Sequence, residues 1–181
     1  YAAVAHVFSK LIEARPDFAP LSIADVGCGL GAATYAAQEI WPSLDRAVLL
    51  DQSAVFLKLA QELAHESNAP FLSQARFLNQ DFVTCVPDSQ AELVVLSYAL
   101  TEAPEGALIE IVERLWGAMR AEILVIVEPG TSRDYARLMR VRAHLFRQGA
   151  RVLAPCPHES PCPLIEGWCH FTTRLPRSKE H

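Results

Sequence analysis

The sequence predicts a doubly wound α/β fold built on a mostly parallel sheet, and two patterns predict it. Short apolar runs of four to six residues alternate with amphipathic stretches of about ten or more, which is the alternation that βαβ units require. The short runs are apolar throughout, not at every second residue. Strands of that kind are buried on both faces, as in a parallel sheet covered by helices.

The elements follow in order. Residues 2–15 place Val4, Val7, Phe8 and Leu11 on one helical face, and Pro16 and Pro20 punctuate the end of that helix. Residues 21–26 form a short buried strand, Gly27 to Gly31 a loop, and residues 32–40 an Ala-rich helix. A second strand over 47–51 precedes a helix over 53–65, and Ala75 to Phe77 form a third strand. A fourth strand covers 93–97, a helix 105–119, and a fifth strand 123–127, closed by Pro129 and Gly130. Thr131-Ser132-Arg133-Asp134 then forms a capping box for one more helix. From Leu153 the pattern breaks, with Pro155, Pro157, Pro161, Pro163 and Pro176 and little periodicity. The chain therefore reads as an α/β unit over 1–150, including the N-terminal helix, and a cysteine-rich segment of the same domain over 151–181.

With 181 residues, 51% of them apolar, the chain is long enough for one domain with a substantial core. No apolar run reaches the roughly eighteen residues of a membrane span, so no membrane partner is expected, and no stable oligomer either. The start at Tyr1 and the polar end at His181 read as those of a piece of a longer protein. Charge is unevenly spread: residues 1–132 carry 7 Lys/Arg against 17 Asp/Glu, and residues 133–181 carry 9 against 4. A polyanionic partner would meet the last third of the chain.

Ligands of doubly wound sheets bind at the carboxyl ends of the strands. There the first strand runs into Asp25-Val26-Gly27-Cys28-Gly29-Leu30-Gly31. Glycines at such a turn accept positive φ and let backbone approach a ligand. Asp51 ends the second strand, where a carboxylate can accept hydrogen bonds from ribose hydroxyls, and Asp81 follows the third, beside Phe82. Acids at three successive strand ends, with no phosphate-binding lysine, suit a nucleoside without phosphate. S-adenosylmethionine (SAM) is such a ligand.

Arg133, Arg137, Arg140, His144 and Arg147 fall on one side of the last helix, with Tyr135, Leu138, Met139, Leu145 and Phe146 opposite. The arginine stripe reads either as a contact surface for RNA phosphates or as an ordinary solvated face. Cys156, Cys162 and Cys169 follow with C-x5-C-x6-C spacing. Clustered thiolates in a proline-stiffened loop suit an iron–sulfur cluster, which takes four cysteines. Zinc, with His158 or His170 as a further ligand, is the alternative.

The stretch over roughly 21–130 resembles the motifs of class I SAM-dependent methyltransferases. That resemblance implies Asp25, Gly27, Gly29 and Gly31 around the methionine part of SAM, Asp51 on the ribose, and Asp81 with Phe82 at the adenine. Several further motifs narrow it: Tyr1-Ala2-Ala3-Val4, Glu128-Pro129-Gly130-Thr131, the loop from Ala154 to Pro163, Trp168-Cys169-His170-Phe171 and Arg174-Leu175-Pro176-Arg177. Together they resemble the methyltransferase-like family associated with the small ribosomal subunit in bacteria and mitochondria. The resemblance implies ribosomal RNA and the small subunit as partners, in the cytoplasm of a bacterium or the mitochondrial matrix of a eukaryote. It also implies a [4Fe–4S] cluster on Cys156, Cys162 and Cys169, with the fourth ligand downstream of His181.

Catalysis is less clearly written. Base N-methylation often uses a polar-Pro-Pro-aromatic turn after the fourth strand, and this chain has Ser97-Tyr98-Ala99-Leu100-Thr101-Glu102 there. Ser97 is a candidate on the cofactor side, and Tyr98 and Glu102 on the acceptor side. Three functions are compatible with these residues: an rRNA methyltransferase, a catalytically silent SAM-binding assembly factor, and a small-molecule methyltransferase.

Overall fold

A computed structural model describes residues 1–67, 69–86, 89–119, 121–158, 160–164 and 167–169. The elements are α1 (Ala2–Ala14), β1 (Ser22–Val26), α2 (Ala32–Ile40), β2 (Arg46–Asp51), α3 (Ala54–Glu66), the single-turn α4 (Pro70–Ser73) and β3 (Arg76–Asn79). After these come β4 (Leu93–Ser97), 3-10 turns at Leu100–Glu102 and Glu105–Ala107, α5 (Leu108–Met119), β5 (Ile123–Val127) and α6 (Ser132–Arg147). The five strands form one parallel sheet in the order β3-β2-β1-β4-β5. This is the predicted doubly wound class.

Burial on both strand faces is what holds the layers. Every residue of β1 is buried. On one face Ile23, Leu49, Leu93, Val95 and Val125 pack against Phe8 and Leu11 of α1 and Ala33, Ala36 and Ala37 of α2. Trp41 anchors that layer, its ring edge-on to Phe8 at 5.0 Å and to Phe18 at 5.8 Å. On the other face Ala24, Val26, Leu50, Val94 and Leu96 meet Leu108, Ile111, Val112 and Leu115 of α5 and Val141 of α6.

Sequence and structure differ at the edge and at α6. The third strand runs to Asn79 and has exposed ends with half-buried residues between them, so it lacks the apolar run that marks the central strands. Residues 105–107 form a 3-10 turn before α5 instead of its first turn. On α6 the expected orientation is reversed. Asp134, Arg137, Val141 and His144 are its buried residues, while Tyr135, Leu138, Met139, Leu145 and Phe146 are only half-buried.

The cause is a polar lining on the facing segment. Arg137 donates to Leu100 O (2.6 Å) and Ala103 O (2.7 Å) and pairs with Glu105, which also takes Arg140. Arg133 pairs with Asp134 at 2.9 Å. The stripe of Arg133, Arg137, Arg140 and Arg147 is therefore not one open phosphate-binding surface. Of the four, only Arg147 is exposed without a carboxylate partner among the described residues. Burial of a guanidinium is tolerated when most of its donors are matched, and here, of the Arg137 nitrogens, only Nε lacks a partner among the described residues. Arg137→Ala removes the guanidinium donor from Ala103 O and from Leu100 O, the latter keeping its bond from Ala103 N–H at 3.1 Å, and urea denaturation should show a loss of roughly 1–3 kcal/mol. Arg147→Ala should stay within about 0.5 kcal/mol of the parent.

Candidate functional site

The chain order reverses direction across the sheet between β1 and β4, and the cleft of a doubly wound fold opens at the carboxyl ends of such strands. β1 is followed by Gly27, whose N–H donates to Leu50 O at 2.8 Å, and Cys28 N–H shares that carbonyl at 3.0 Å. The loop thus folds over the end of β2. Gly27 and Gly31 have φ of +70° and +83°. A Cβ on Gly27 would lie 2.7 Å from Ala99 Cβ, and one on Gly31 would lie 3.0 Å from Leu49 Cδ2. Gly29 differs: a Cβ there meets no described atom within 4 Å, so this backbone faces open space.

Asp51 joins that crest to the second strand. Its Oδ2 accepts from Gly29 N–H at 2.8 Å and its Oδ1 from Ser53 N–H at 2.8 Å. Ser53 in turn caps α3 through Phe56 N–H. Asn79, at the end of β3, donates to Asp51 O (3.1 Å) and Gln52 O (2.9 Å) and fixes the neighbouring rim. Asp81 closes its own turn by accepting from Val83 N–H at 2.8 Å. Phe82 is buried, with Cε1 3.8 Å from where a Gly27 Cβ would be. A cleft of about 230 Å³ is lined by Gln52, Asp81, Phe82, Val83, Glu102 and Pro104. A larger hollow of about 530 Å³ lies on the outer face of α3, along Ala54, Val55, Lys58, Leu59 and Glu62, and no predicted site residue lines it.

The structure therefore brings Gly27, Gly29, Gly31, Asp51, Asp81 and Phe82 to one side of the sheet. Ser97 sits at the end of β4, half-buried and in register with Val127. Asp25 is the exception. It is buried, and its Oδ2 accepts from Thr34 Oγ1 at 2.9 Å and Thr34 N–H at 3.2 Å. It ties α2 beneath the loop. Burial pushes its carboxyl up to about 7, against the pull of the Thr34 donors.

Beyond β4 a second polar set holds the turn that follows the strand. Glu128 accepts from Leu100 N–H (2.9 Å) and Thr101 N–H (3.0 Å). Asp134 accepts from Thr101 Oγ1 (3.0 Å) and Thr131 Oγ1 (2.6 Å), and Thr131 caps α6 as the sequence predicts. Burial pushes Glu128 up to about 7 as well, its two backbone donors opposing this. Sequence reasoning assigned no task to Thr34, Asn79, Thr101 or Glu128. The only signal was position, each lying near the amino end of a helix or the carboxyl end of a strand.

The cysteine segment meets α6 on its other face. Tyr135 Oη lies 3.3 Å from Cys162 Sγ, and Arg142 donates to His158 O (2.8 Å) and Ser160 O (3.4 Å). The Tyr135 phenol is pushed up to about 12, first by its hydrogen bond to Cys162, then by burial and by the charges of Cys162, Cys169 and Cys156. The Cys162 thiol is lowered, chiefly by the Tyr135 hydroxyl. This donor set suits a soft metal in its chemistry. Among the described residues, however, no three His, Cys, Asp or Glu side chains are arranged to hold a metal ion. His170 and Arg174 to Arg177 lie outside the described residues.

A parallel sheet ordered β3-β2-β1-β4-β5, with a glycine loop after β1 and an acid ending β2, defines a Rossmann-like methyltransferase fold. Solved structures agree on the fold. PH1948 from Pyrococcus horikoshii matches with a TM-score of 0.56 at 12% identity, over 75% of this chain and 63% of its own. The pyocyanin biosynthetic protein PhzM matches with 0.55 at 24%, over 79% and 42%. DesVI from Streptomyces venezuelae matches with 0.54 at 18%, over 74% and 52%. The chain belongs to the family described as mitochondrial small ribosomal subunit Rsm22, whose profile matches residues 1–181. It is 34% identical to the human mitochondrial ribosome assembly protein METTL17 over 95% of its own length and 40% of that protein's. It is 24% identical to the fission yeast mitochondrial Rsm22-cox11 tandem protein 2, over 91% and 24%. The chain thus spans well under half of these relatives' lengths.

The two raised acids make a prediction. Each holds in the folded state a proton that the unfolded chain releases between about pH 4 and pH 7. Folding stability should therefore fall as pH rises through that window, and this contribution should level off above it. Denaturation midpoints measured across the window should decline less steeply in Asp25→Asn and Glu128→Gln than in the parent.

Proposed function

We propose that this chain is the SAM-binding, methyltransferase-like unit of a protein that acts on or with small-subunit ribosomal RNA during ribosome assembly or translation. One observation carries the SAM assignment: the Asp51 carboxylate is held at 2.8 Å from the N–H of Gly29, the one loop glycine that faces open space. A carboxylate at the end of β2 meets a ribose there, and Phe82 and Asp81 lie on the cleft wall that an adenine would take. Bound SAM supplies a methyl group on a cationic sulfonium. The chain's residues supply the cradle (Gly27, Gly29 and Gly31), the ribose acceptor (Asp51) and the adenine wall (Asp81 and Phe82), with Ser97 at the end of β4. Family membership and the mitochondrial ribosome assembly relative support the small subunit as partner. The compartment would be the mitochondrial matrix in a eukaryote and the cytoplasm in a bacterium.

A second reading is a catalytically silent factor that keeps SAM binding. It is favoured by the clamp on residues 100–105, where Glu128 and Arg137 fix the backbone of the acceptor side and Asp134 fixes the Thr101 hydroxyl. Methyl transfer from labelled SAM to small-subunit RNA separates the two readings, and transfer to small molecules alone would favour a third. Cys156, Cys162 and Cys169 would hold a [4Fe–4S] cluster with a fourth ligand beyond residue 181. Metal analysis of the full-length protein purified without oxygen distinguishes iron from zinc.

Asp51→Ala should weaken SAM binding by roughly 1–3 kcal/mol, the scale of unpaired buried hydroxyls. Unchanged affinity by calorimetry would remove Asp51 from the site. Cys162→Ser should abolish the visible absorption of the anaerobically purified protein. Retained absorption would take Cys162 out of the ligand set.

A further inference from the structure

We propose that Arg114 is a positioning residue for the base of the cofactor. From α5 it sets the turn at residues 81–85, so that the cleft distinguishes adenine from a purine with a different edge. The inference rests on the SAM reading above.

The turn needs support from outside itself. It follows β3, the edge strand, whose one neighbour is β2. Its own bonds converge on one residue. Val83 N–H donates to Asp81 Oδ1 at 2.8 Å, and Thr84 N–H and Cys85 N–H donate to Asp81 O at 3.1 Å and 2.9 Å. These bonds shape the turn. They are internal to it and do not orient it against the rest of the fold.

Arg114 supplies that orientation. Its Nη2 donates to Val83 O, and its Nη1 donates to Thr84 O at 3.2 Å. The guanidinium is itself steadied one helical turn back, where Nε donates to Glu110 O at 3.4 Å. A planar fork that spans two successive carbonyls fixes direction as well as distance. Phe82 is buried in one apolar cluster with Leu108, Ile111, Val112 and Leu115 of α5, so the same helix holds the turn by a ring and by a fork. Arg114 does not line the cleft, whereas Asp81, Phe82 and Val83 do. It acts through the turn.

The turn presents a donor beside an acceptor. Asp81 Oδ2 and Phe82 N–H have no partner among the described residues, and both belong to residues that line the cleft. The amino edge of adenine is their complement, an exocyclic amine that donates next to a ring nitrogen that accepts. A 6-oxo purine reverses both roles. Hydrogen bonds weaken steeply when misaligned, so discrimination between the two edges depends on where Arg114 holds the turn.

The test uses the full-length protein and two probes, S-adenosylhomocysteine and its 6-oxo counterpart S-inosylhomocysteine. Calorimetry gives both affinities for the parent, Arg114→Ala and Arg114→Lys. The quantity read is the ratio of the two affinities, which partial unfolding leaves unchanged because it scales both alike. The parent should favour the adenosyl ligand by roughly 10- to 100-fold. Arg114→Ala should cut that ratio by about fivefold or more, with the loss falling on the adenosyl ligand. Arg114→Lys keeps the charge without the fork, and its ratio should fall between the two.

A parental ratio in Arg114→Ala overturns the proposal, including when both affinities fall, because an equal loss is what a merely stabilising contact gives. If Arg114→Ala does not fold, a parental ratio in Arg114→Lys overturns it. A parent that binds neither probe refutes the SAM reading and this inference with it. A parent that binds both probes equally leaves the SAM reading standing and overturns the role given to Arg114.

Discussion

The approach of Gly27 to Ala99 is the constraint from which the site follows. These residues leave β1 and β4, the neighbouring strands between which the sheet changes direction, and the space between them admits no side chain on Gly27. The chain can close there only with a glycine in a left-handed conformation. That closure seats the rest of the loop on Leu50 and lifts Gly29 toward open space, where Asp51 meets it. A side chain at Gly27 would push the loop from Ala99, and the spacing between Gly29 and Asp51 would go with it. The cleft is thus a consequence of strand packing, and its acids Asp51 and Asp81 are positioned by the backbone donors of Gly29, Ser53 and Val83.

Helix α6 connects that cleft to the cysteine segment. Its inner face carries charge where most helices carry hydrocarbon. Asp134, Arg137 and His144 are buried, and the first two find partners in the 3-10 turns after β4. Buried ion pairs add little net stability over apolar packing, but removing one partner is costly. Such contacts therefore fix geometry more than they strengthen the fold, and the geometry they fix is that of the turns after β4. The half-buried face of the same helix bears Tyr135 and Arg142, which hold Cys162 and the carbonyls of His158 and Ser160. One helix thus orders two regions that are far apart in sequence.

The central strands were legible because burial on both faces leaves continuous apolar runs, as in residues 93–97 and 123–127. The glycine loop and Asp51 were legible because chain position alone places them at strand ends. β3 was harder, since an edge strand with exposed ends carries no such run. The packing of the arginine stripe was not legible for a definable reason. Helical periodicity separates two faces but does not say which is inside, and a polar face turns inward when the opposing segment supplies carbonyls and a carboxylate. Those partners, Leu100, Ala103 and Glu105, lie more than thirty residues away in sequence. The tie from Asp25 to Thr34 was not legible for a similar reason, because an acid before a glycine loop can serve the helix behind it as well as a ligand in front.

The central claim is that SAM occupies the cleft at the ends of β1, β2 and β4. Amide chemical shifts of the isotope-labelled protein, followed as SAM is added, test it most directly. Saturable changes at Gly29, Asp51, Ser53 and Phe82, with Leu59 and Leu63 on the outer face of α3 unmoved, are the predicted result. Changes centred on Leu59 and Leu63, or none at Gly29 and Asp51 under saturating SAM, would contradict the account.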